Sequence, residues 1–298
     1  MTFLGNNLKV HFAGSDGEEI FHAALKAADV HYRLYSCFGF IDKKTPQDDF
    51  ILPESHIIKV QDKEMKHVIQ DSGLFTLMFG AGKGRKVDHD YLLEWQDKLI
   101  KFVQQNNLKC SCVEIDCQKL LGVDEAWFFR KRMKDRLANR QINVFHWEDG
   151  KDGFDKIIDF SDYIAISVPE LRIVKPKQYK KIAVDLAKYA KSKKPDIDIH
   201  MLGCTEYAML KDISFCTTSD STSWLSGVKY GYFNDGKSKG HIKTFKREIV
   251  EEREKNVRQI TKERNITLQA KTLRYATSAS ICATIAKQRY ERLAGNQD

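Results

Sequence analysis

Residues 68–76 have the sequence VIQDSGLFT, an apolar strand that ends in Asp71, Ser72 and Gly73. In parallel α/β enzymes the carboxyl ends of the strands carry the catalytic groups, so the sequence predicts a catalytic carboxylate at Asp71. The alternative is an ordinary turn, because Asp, Ser and Gly all favour turns.

Short apolar strands alternate with helices on both sides of this stretch, about seven or eight times along the chain. This alternation is typical of a parallel α/β fold, and eight units in 298 residues favour a closed (β/α)8 TIM-type barrel over an open sheet. The predicted strands are 8–14, 30–38, 68–71, 109–116, 142–147, 163–167, 197–202 and 213–220, and the predicted helices are 15–28, 90–107, 123–140, 155–160, 179–192 and 206–211.

Two of the predicted helices carry further signals. Ser15 followed by Glu18 is a capping-box pattern, which predicts a helix start at this point. In the helix at 123–140 we expect Trp127 and Phe128 to face the core.

Polar side chains recur where the predicted strands end. In a barrel these side chains would converge on the carboxyl mouth of the strands; they are Asp71, Asp116, His146, Glu170 and Asp220. Each of them could instead cap the helix that follows it.

The chain is predicted to have two parts. Residues 1–235 form the barrel, and residues 236–298 form a C-terminal helical extension of one or two long helices. Residues 268–293 are apolar and alanine-rich, so we expect them to pack either on the barrel or on a partner, as in a homodimer or a modification complex.

Composition indicates the cellular setting. The chain has no run of about 18 apolar residues and no signal-peptide pattern, so we expect a soluble, cytoplasmic protein without a membrane partner. Seven cysteines, an odd number, suit reduced thiols. The group Cys110, Cys112 and Cys117 invites a zinc interpretation, but no His follows at the usual spacing, which favours buried thiols and no metal site.

The net charge of +8 bears on partners more than on fold. Basic residues cluster in a glycine-spaced loop at 80–86, at 172–181 and at 229–247. Such clusters favour a polyanion such as nucleic acid, although a solvated basic face is the alternative. The predicted phosphate contacts are Lys83, Arg85, Lys86, Arg172, Lys175 and Lys177.

Four segments carry a family resemblance. Residues 71–75, DSGLF, resemble the Asp-Ser-Gly-Gly-Phe signature of tRNA-guanine transglycosylases, and residues 115–117, IDC, are similar to the strand with which that family reads the base. Residues 163–170 resemble the segment that ends in Val-Gly-Glu. The sequence Met-Leu-Gly at 201–203, followed seventeen residues later by Asp220, resembles the Met-Gly element and the nucleophilic aspartate.

The chain also departs from that family. Leu74 replaces the second glycine of the signature, Thr76 replaces its usual glutamine, and serines flank Asp220 where the family has Phe and Cys. The family's zinc site, three closely spaced cysteines and a distant histidine after the nucleophile, is absent, since Cys282 is the only cysteine after Asp220. A compact, basic, zinc-free relative is most similar to the phage and bacterial branch that inserts 7-deazaguanine bases into DNA.

The resemblance implies a function. Guanine in DNA would be exchanged for a 7-deazaguanine base, such as preQ0, through a covalent aspartyl-sugar intermediate, without a cofactor. Asp220 would be the nucleophile and Asp71 the general acid and base. The base-binding residues would be Ser72, Phe75, Asp116, His146, Glu170 and Gly203. If the gene is carried by a phage, the enzyme would work in the host cytoplasm.

Two alternatives to this function stay open. One is a tRNA-guanine transglycosylase of the queuine or archaeosine type. The other is a nucleic-acid-binding relative that kept the fold and lost catalysis, which the changed neighbours of Asp220 suggest.

Overall fold

The computed structural model describes residues 8–16, 19–40, 59–74, 87–230, 232–234, 239–241 and 245–293. Eight parallel strands form a closed barrel in the order β1 to β8, and helices follow the strands. The predicted (β/α)8 barrel with C-terminal helices is therefore confirmed. The barrel strands are β1 Lys9–Phe12, β2 Tyr32–Ser36, β3 His67–Asp71, β4 Ser111–Val113, β5 Gln141–Phe145, β6 Tyr163–Ser167, β7 Asp198–Leu202 and β8 Thr218–Ser221.

The described residues contain eleven α-helices. They are α1 Glu19–Ala27, α2 His89–Gln105, α3 Gln118–Leu121, α4 Val123–Arg136, α5 Gly150–Phe160, α6 Val168–Val174, α7 Tyr179–Lys193, α8 Tyr207–Asp212, α9 Trp224–Tyr230, α10 Arg247–Glu263 and α11 Ala270–Leu293. Short 3-10 helices occupy Cys37–Phe40 and Trp147–Asp149, and a small antiparallel pair joins β9 Tyr232–Asn234 to β10 Lys239–His241.

Contacts divide the chain into two compact units, one of residues 34–202 and one of residues 1–33 with 203–298. In the unit of residues 34–202, the parallel pairing runs from β3 to β7. Its apolar core lies between these strands and the helices α2 and α4, where Trp95, Leu99 and Phe129 are buried. Asp88 caps α2 by accepting a hydrogen bond from the Tyr91 N–H at 3.1 Å, which stabilises a helix by about 0.5–2 kcal/mol.

In the other unit, β1 pairs with β8 and with β2. The C-terminal helices α10 and α11 pack against α1, and α11 also packs against α9. The ring of Phe12 on β1 lies 6.1 Å from Trp224 and 5.7 Å from Tyr290. Of the two partners considered for residues 268–293, the structure therefore shows contact with helices of the barrel, because α1 and α9 follow β1 and β8.

Some local predictions were wrong. Phe128 is exposed, and the buried aromatic residues of α4 are Trp127 and Phe129, because α4 turns one ring away from the core. The last strand begins at Thr218, since Ile213 ends α8 in a turn and does not continue an extended chain. The capping box predicted for Ser15 and Glu18 is not tested, because Glu18 lies outside the described residues.

Candidate active site

A buried ion pair fixes the carboxyl ends of β4 and β5. Glu114 follows β4, and Arg130 reaches it from α4 with two hydrogen bonds of 2.5 and 2.7 Å. The same carboxylate accepts the N–H of Val144 on β5 at 2.7 Å. The guanidinium also lies 4.4 Å from the ring of Trp127. This buried pair therefore joins the segment after β4 to both α4 and β5.

A histidine, two residues after Val144, contacts two carboxylates. His146 follows β5 and is buried. Its Nε2 lies 2.6 Å from Asp116 Oδ1, and its Nδ1 lies 2.9 Å from Glu170 Oε2. Glu170 is held in the first turn of α6, where its N–H donates to the Ser167 hydroxyl. The structure thus brings together three of the residues that the sequence proposed.

This contact sets the charge of His146. Burial lowers the pKa of the imidazole, but hydrogen bonds to the carboxylates of Asp116 and Glu170, together with their charge, outweigh burial and raise the pKa to about 10. For Glu170, burial raises the pKa of the carboxyl, and His146 with Lys119 outweighs it and lowers that pKa. His146 is therefore an imidazolium at neutral pH that donates to both carboxylates and cannot act as a general base.

A lysine and two further acidic residues lie next to Glu170, and the sequence did not predict them as part of the site. Lys119 on α3 lies 3.2 Å from Glu170 and 2.7 Å from Glu148. Gln118 donates to Glu148 at 3.1 Å and to Asp149 at 2.6 Å. Gln118 and Lys119 come after β4, and Glu148 and Asp149 come after β5. Nothing in the sequence indicates which side chains of these two segments contact each other.

Asp71 ends β3 in a tight turn. Its Oδ1 accepts the N–H of Gly73 at 2.8 Å. Gly73 has φ of +78°, and a Cβ at this position would lie 2.5 Å from the main-chain nitrogen of Phe38, so only glycine fits. The main-chain oxygen of Ser72 accepts a hydrogen bond from Trp95 at 2.8 Å. The turn alternative is thus correct as a description of the backbone, and it fixes the Asp71 carboxylate.

Asp220 lies in the other unit, within β8, and is largely buried. Its Oδ1 accepts the N–H of Gly203 at 2.7 Å. Gly203 has φ of +64°, a left-handed conformation that favours glycine. The glycine and the aspartate that the resemblance paired across seventeen residues are thus in direct contact.

The predicted phosphate contacts are described only in part. Lys83, Arg85 and Lys86, together with Phe75, lie outside the described residues. The remaining three are exposed or half-buried and lie in or after α6; they are Arg172, Lys175 and Lys177.

The cysteines and the helices add two observations. All seven cysteines are buried as free thiols, and Cys110 Sγ lies 3.7 Å from Cys112 Sγ. Within the described ranges, no group of three or more His, Cys, Asp or Glu side chains has an arrangement that could hold a metal ion. Among the described helices, none is both long and apolar enough to span a membrane.

No protein-family model matches the chain, and no curated protein matches it significantly.

Proposed function

We propose that this protein is a transglycosylase that exchanges guanine in DNA for a 7-deazaguanine base. The observation that carries the proposal is the hydrogen bond from Gly203 to Asp220, because it fixes the plane of a strand-end carboxylate at the position that the resemblance assigns to the nucleophile. The closed barrel supports the proposal more broadly, since barrel enzymes carry their catalytic groups at the carboxyl ends of the strands.

In the first step, Asp220 attacks C1′ of a deoxyguanosine. The bond between C1′ and N9 breaks, its electron pair passes to the base, and Asp71 as the acid supplies the proton. The product is free guanine and a sugar bonded to Asp220. This is the first half of a retaining exchange, in which one carboxylate bonds to the sugar and another handles the proton.

In the second step, the incoming 7-deazaguanine base loses its N9 proton to Asp71 and attacks C1′. The bond to Asp220 breaks, and the carboxylate is regenerated. The sugar keeps its configuration because two displacements occur in succession, and the strand stays intact because no phosphate bond takes part. The base is the co-substrate, and the reaction as written consumes no other reagent.

Recognition of the base falls to Asp116 in this proposal. Its side chain is 29% exposed, so it can reach a ligand while His146 holds one of its oxygens. A carboxylate is an acceptor that matches the N1–H and 2-amino donors of guanine. His146 acts as a positioning residue, because both of its ring nitrogens contact carboxylates. Glu170 holds the same imidazolium through the second ring nitrogen, Nδ1.

The target nucleotide has to leave the base stack before C1′ and the base edge can be reached. Basic residues around α6 would hold the flanking phosphates without reading sequence.

The test is incorporation of labelled guanine into nucleic acid. Wild-type protein is incubated with labelled guanine and either duplex DNA or tRNA, and label in the polymer is counted. We expect incorporation into DNA. Incorporation into tRNA alone would replace DNA by tRNA as the substrate, and incorporation into neither would overturn the proposed activity.

A further inference from the structure

The tip of α6 exposes a large apolar side chain beside the candidate site. Ile173 is 81% exposed, more than any other large hydrophobic residue in the described ranges, and its neighbour Val174 is 41% exposed. Burial of this apolar surface against a partner would be favourable by about 25 cal/mol for each Å² removed from water.

The position of Ile173 relative to Glu170 is set by the helix. The two residues are three apart in α6, so they lie on neighbouring positions of one helix face. Glu170 contacts His146 at one end of this face, and Ile173 projects into solvent one turn later.

The backbone holds this tip in place. The N–H of Lys175 donates to Leu171 O at 2.8 Å, and the N–H groups of Gln178 and Tyr179 both donate to Lys175 O at 2.9 and 2.8 Å. An apolar side chain on a fixed tip loses little conformational freedom when it inserts into a partner.

The surroundings indicate the chemistry of that partner. Residues 172–181 contain five basic side chains and no acidic one. Lys175 lies 5.2 Å from the ring of Trp147, and Arg172 lies 5.2 Å from the ring of Tyr179. An apolar tip flanked along the chain by cations is complementary to a polyanion that has apolar surface between its charges, as stacked bases between phosphates do.

We propose that Ile173, supported by Val174, is a wedge that enters duplex DNA at the step vacated by the extruded target nucleotide. The side chain would replace the stacking contacts that the neighbouring bases lose, while Arg172, Lys175 and Lys177 contact the flanking phosphates. The identity of the extruded base rests on the proposed function. The unstacking itself does not depend on the chemistry that follows.

The experiment compares wild-type protein with the variants Ile173→Ser and Ile249→Ser. Ile249 is a 41%-exposed isoleucine on α10, so it is a matched control for loss of a surface isoleucine. Each protein is assayed for labelled-guanine exchange into native duplex DNA and into the same DNA after heat denaturation. Each is also mixed with a duplex that contains 2-aminopurine beside guanine, whose fluorescence rises on unstacking whether or not exchange occurs.

For Ile173→Ser we expect exchange into duplex DNA to fall by roughly tenfold or more, exchange into denatured DNA to stay within about twofold, and the fluorescence rise to be lost. Ile249→Ser should match wild type in every assay. Equal rates on duplex DNA for wild type and Ile173→Ser, or equal losses on both forms of DNA, would overturn the wedge and leave the proposed function standing.

If wild-type protein exchanges no base, the proposed function fails, and the fluorescence assay still decides about the wedge. A rise with wild type that Ile173→Ser lacks supports the wedge. A rise of equal size in both proteins, or no rise in either, overturns it.

Discussion

Asp116 and Asp220 both stand at strand ends, but their surroundings differ. Asp116 is paired with the buried imidazolium of His146. The same imidazolium contacts Glu170, and Glu170 in turn contacts Lys119. Asp220 accepts a hydrogen bond from a main-chain N–H. The Asp116 contact joins two side chains, whereas the Gly203 contact joins the Asp220 side chain to the main chain. Under the proposed function, Asp116 recognises the base and Asp220 attacks the sugar.

Replacing each aspartate with asparagine tests whether the two residues have different roles. Asparagine retains a side-chain oxygen for the Gly203 N–H, so Asp220→Asn should fold normally. We expect Asp220→Asn to lose exchange activity on the order of 10⁴-fold or more, with DNA affinity unchanged, because an amide cannot form the sugar intermediate.

Asp116→Asn should lose about 10- to 100-fold, since one unpaired buried donor costs about 1–3 kcal/mol. The loss should be smaller for hypoxanthine, which lacks the 2-amino donor of guanine. Steady-state kinetics with both bases measure this, and equal losses for the two aspartates would remove the division of roles.

The next effect concerns the support beneath His146 and Asp116. Arg130→Met leaves the Glu114 carboxylate buried without its cation, which should lower the free energy of unfolding by about 3–5 kcal/mol. The matched control is Arg136→Met on the same helix, where an arginine that is 44% exposed pairs with Asp97 and the expected change is about 0–1 kcal/mol. Urea denaturation measures both, and similar losses in the two variants would show that the buried pair does not organise the strand ends.

A smaller effect is the pH dependence that His146 confers. Its folded pKa of about 10 exceeds the unfolded value of 6.5, so the folded state binds the extra proton between these values. Its contribution to stability is complete below pH 6.5 and is lost as pH rises toward 10, by an amount on the order of a few kcal/mol.

The measurement is urea denaturation of wild type and His146→Gln across this range. The free-energy difference between the two proteins should shrink as pH rises. A difference that stays constant from pH 6 to pH 10 would show that His146 is not held as an imidazolium.

The smallest effect belongs to the basic surface after α6. Lys177→Gln should reduce the slope of log DNA affinity against log salt by about 0.7–0.9, the value for one phosphate contact. Lys188→Gln removes an exposed lysine of α7 and should leave the slope unchanged. If the two variants have the same slope as wild type, the basic surface at 172–181 is solvated and the DNA path lies elsewhere.

The sequence predicted the barrel because periodicity and strand length are local properties, and the strand at 68–71 appears within one residue of its predicted start. It also predicted Asp71, Asp116, His146, Glu170 and Asp220 as strand-end groups, since their place follows from where each strand stops. The contacts among them were not predictable, because the contacts of His146 with Asp116 and Glu170 depend on side-chain directions in three separate segments of the chain. The exposed position of Phe128 was missed because two adjacent phenylalanines are chemically identical, and only their positions around the helix decide which one is buried.

The most direct test of the central claim is to locate the covalent sugar intermediate. Wild-type protein is incubated with DNA in the absence of free base and quenched in denaturant, and the nuclease- and protease-treated sample is analysed by mass spectrometry. We expect a deoxyribose-nucleotide adduct on the peptide that contains Asp220, and no adduct in Asp220→Asn. An adduct on another residue, or active exchange by wild type without any adduct, would contradict the assignment of Asp220 as the nucleophile.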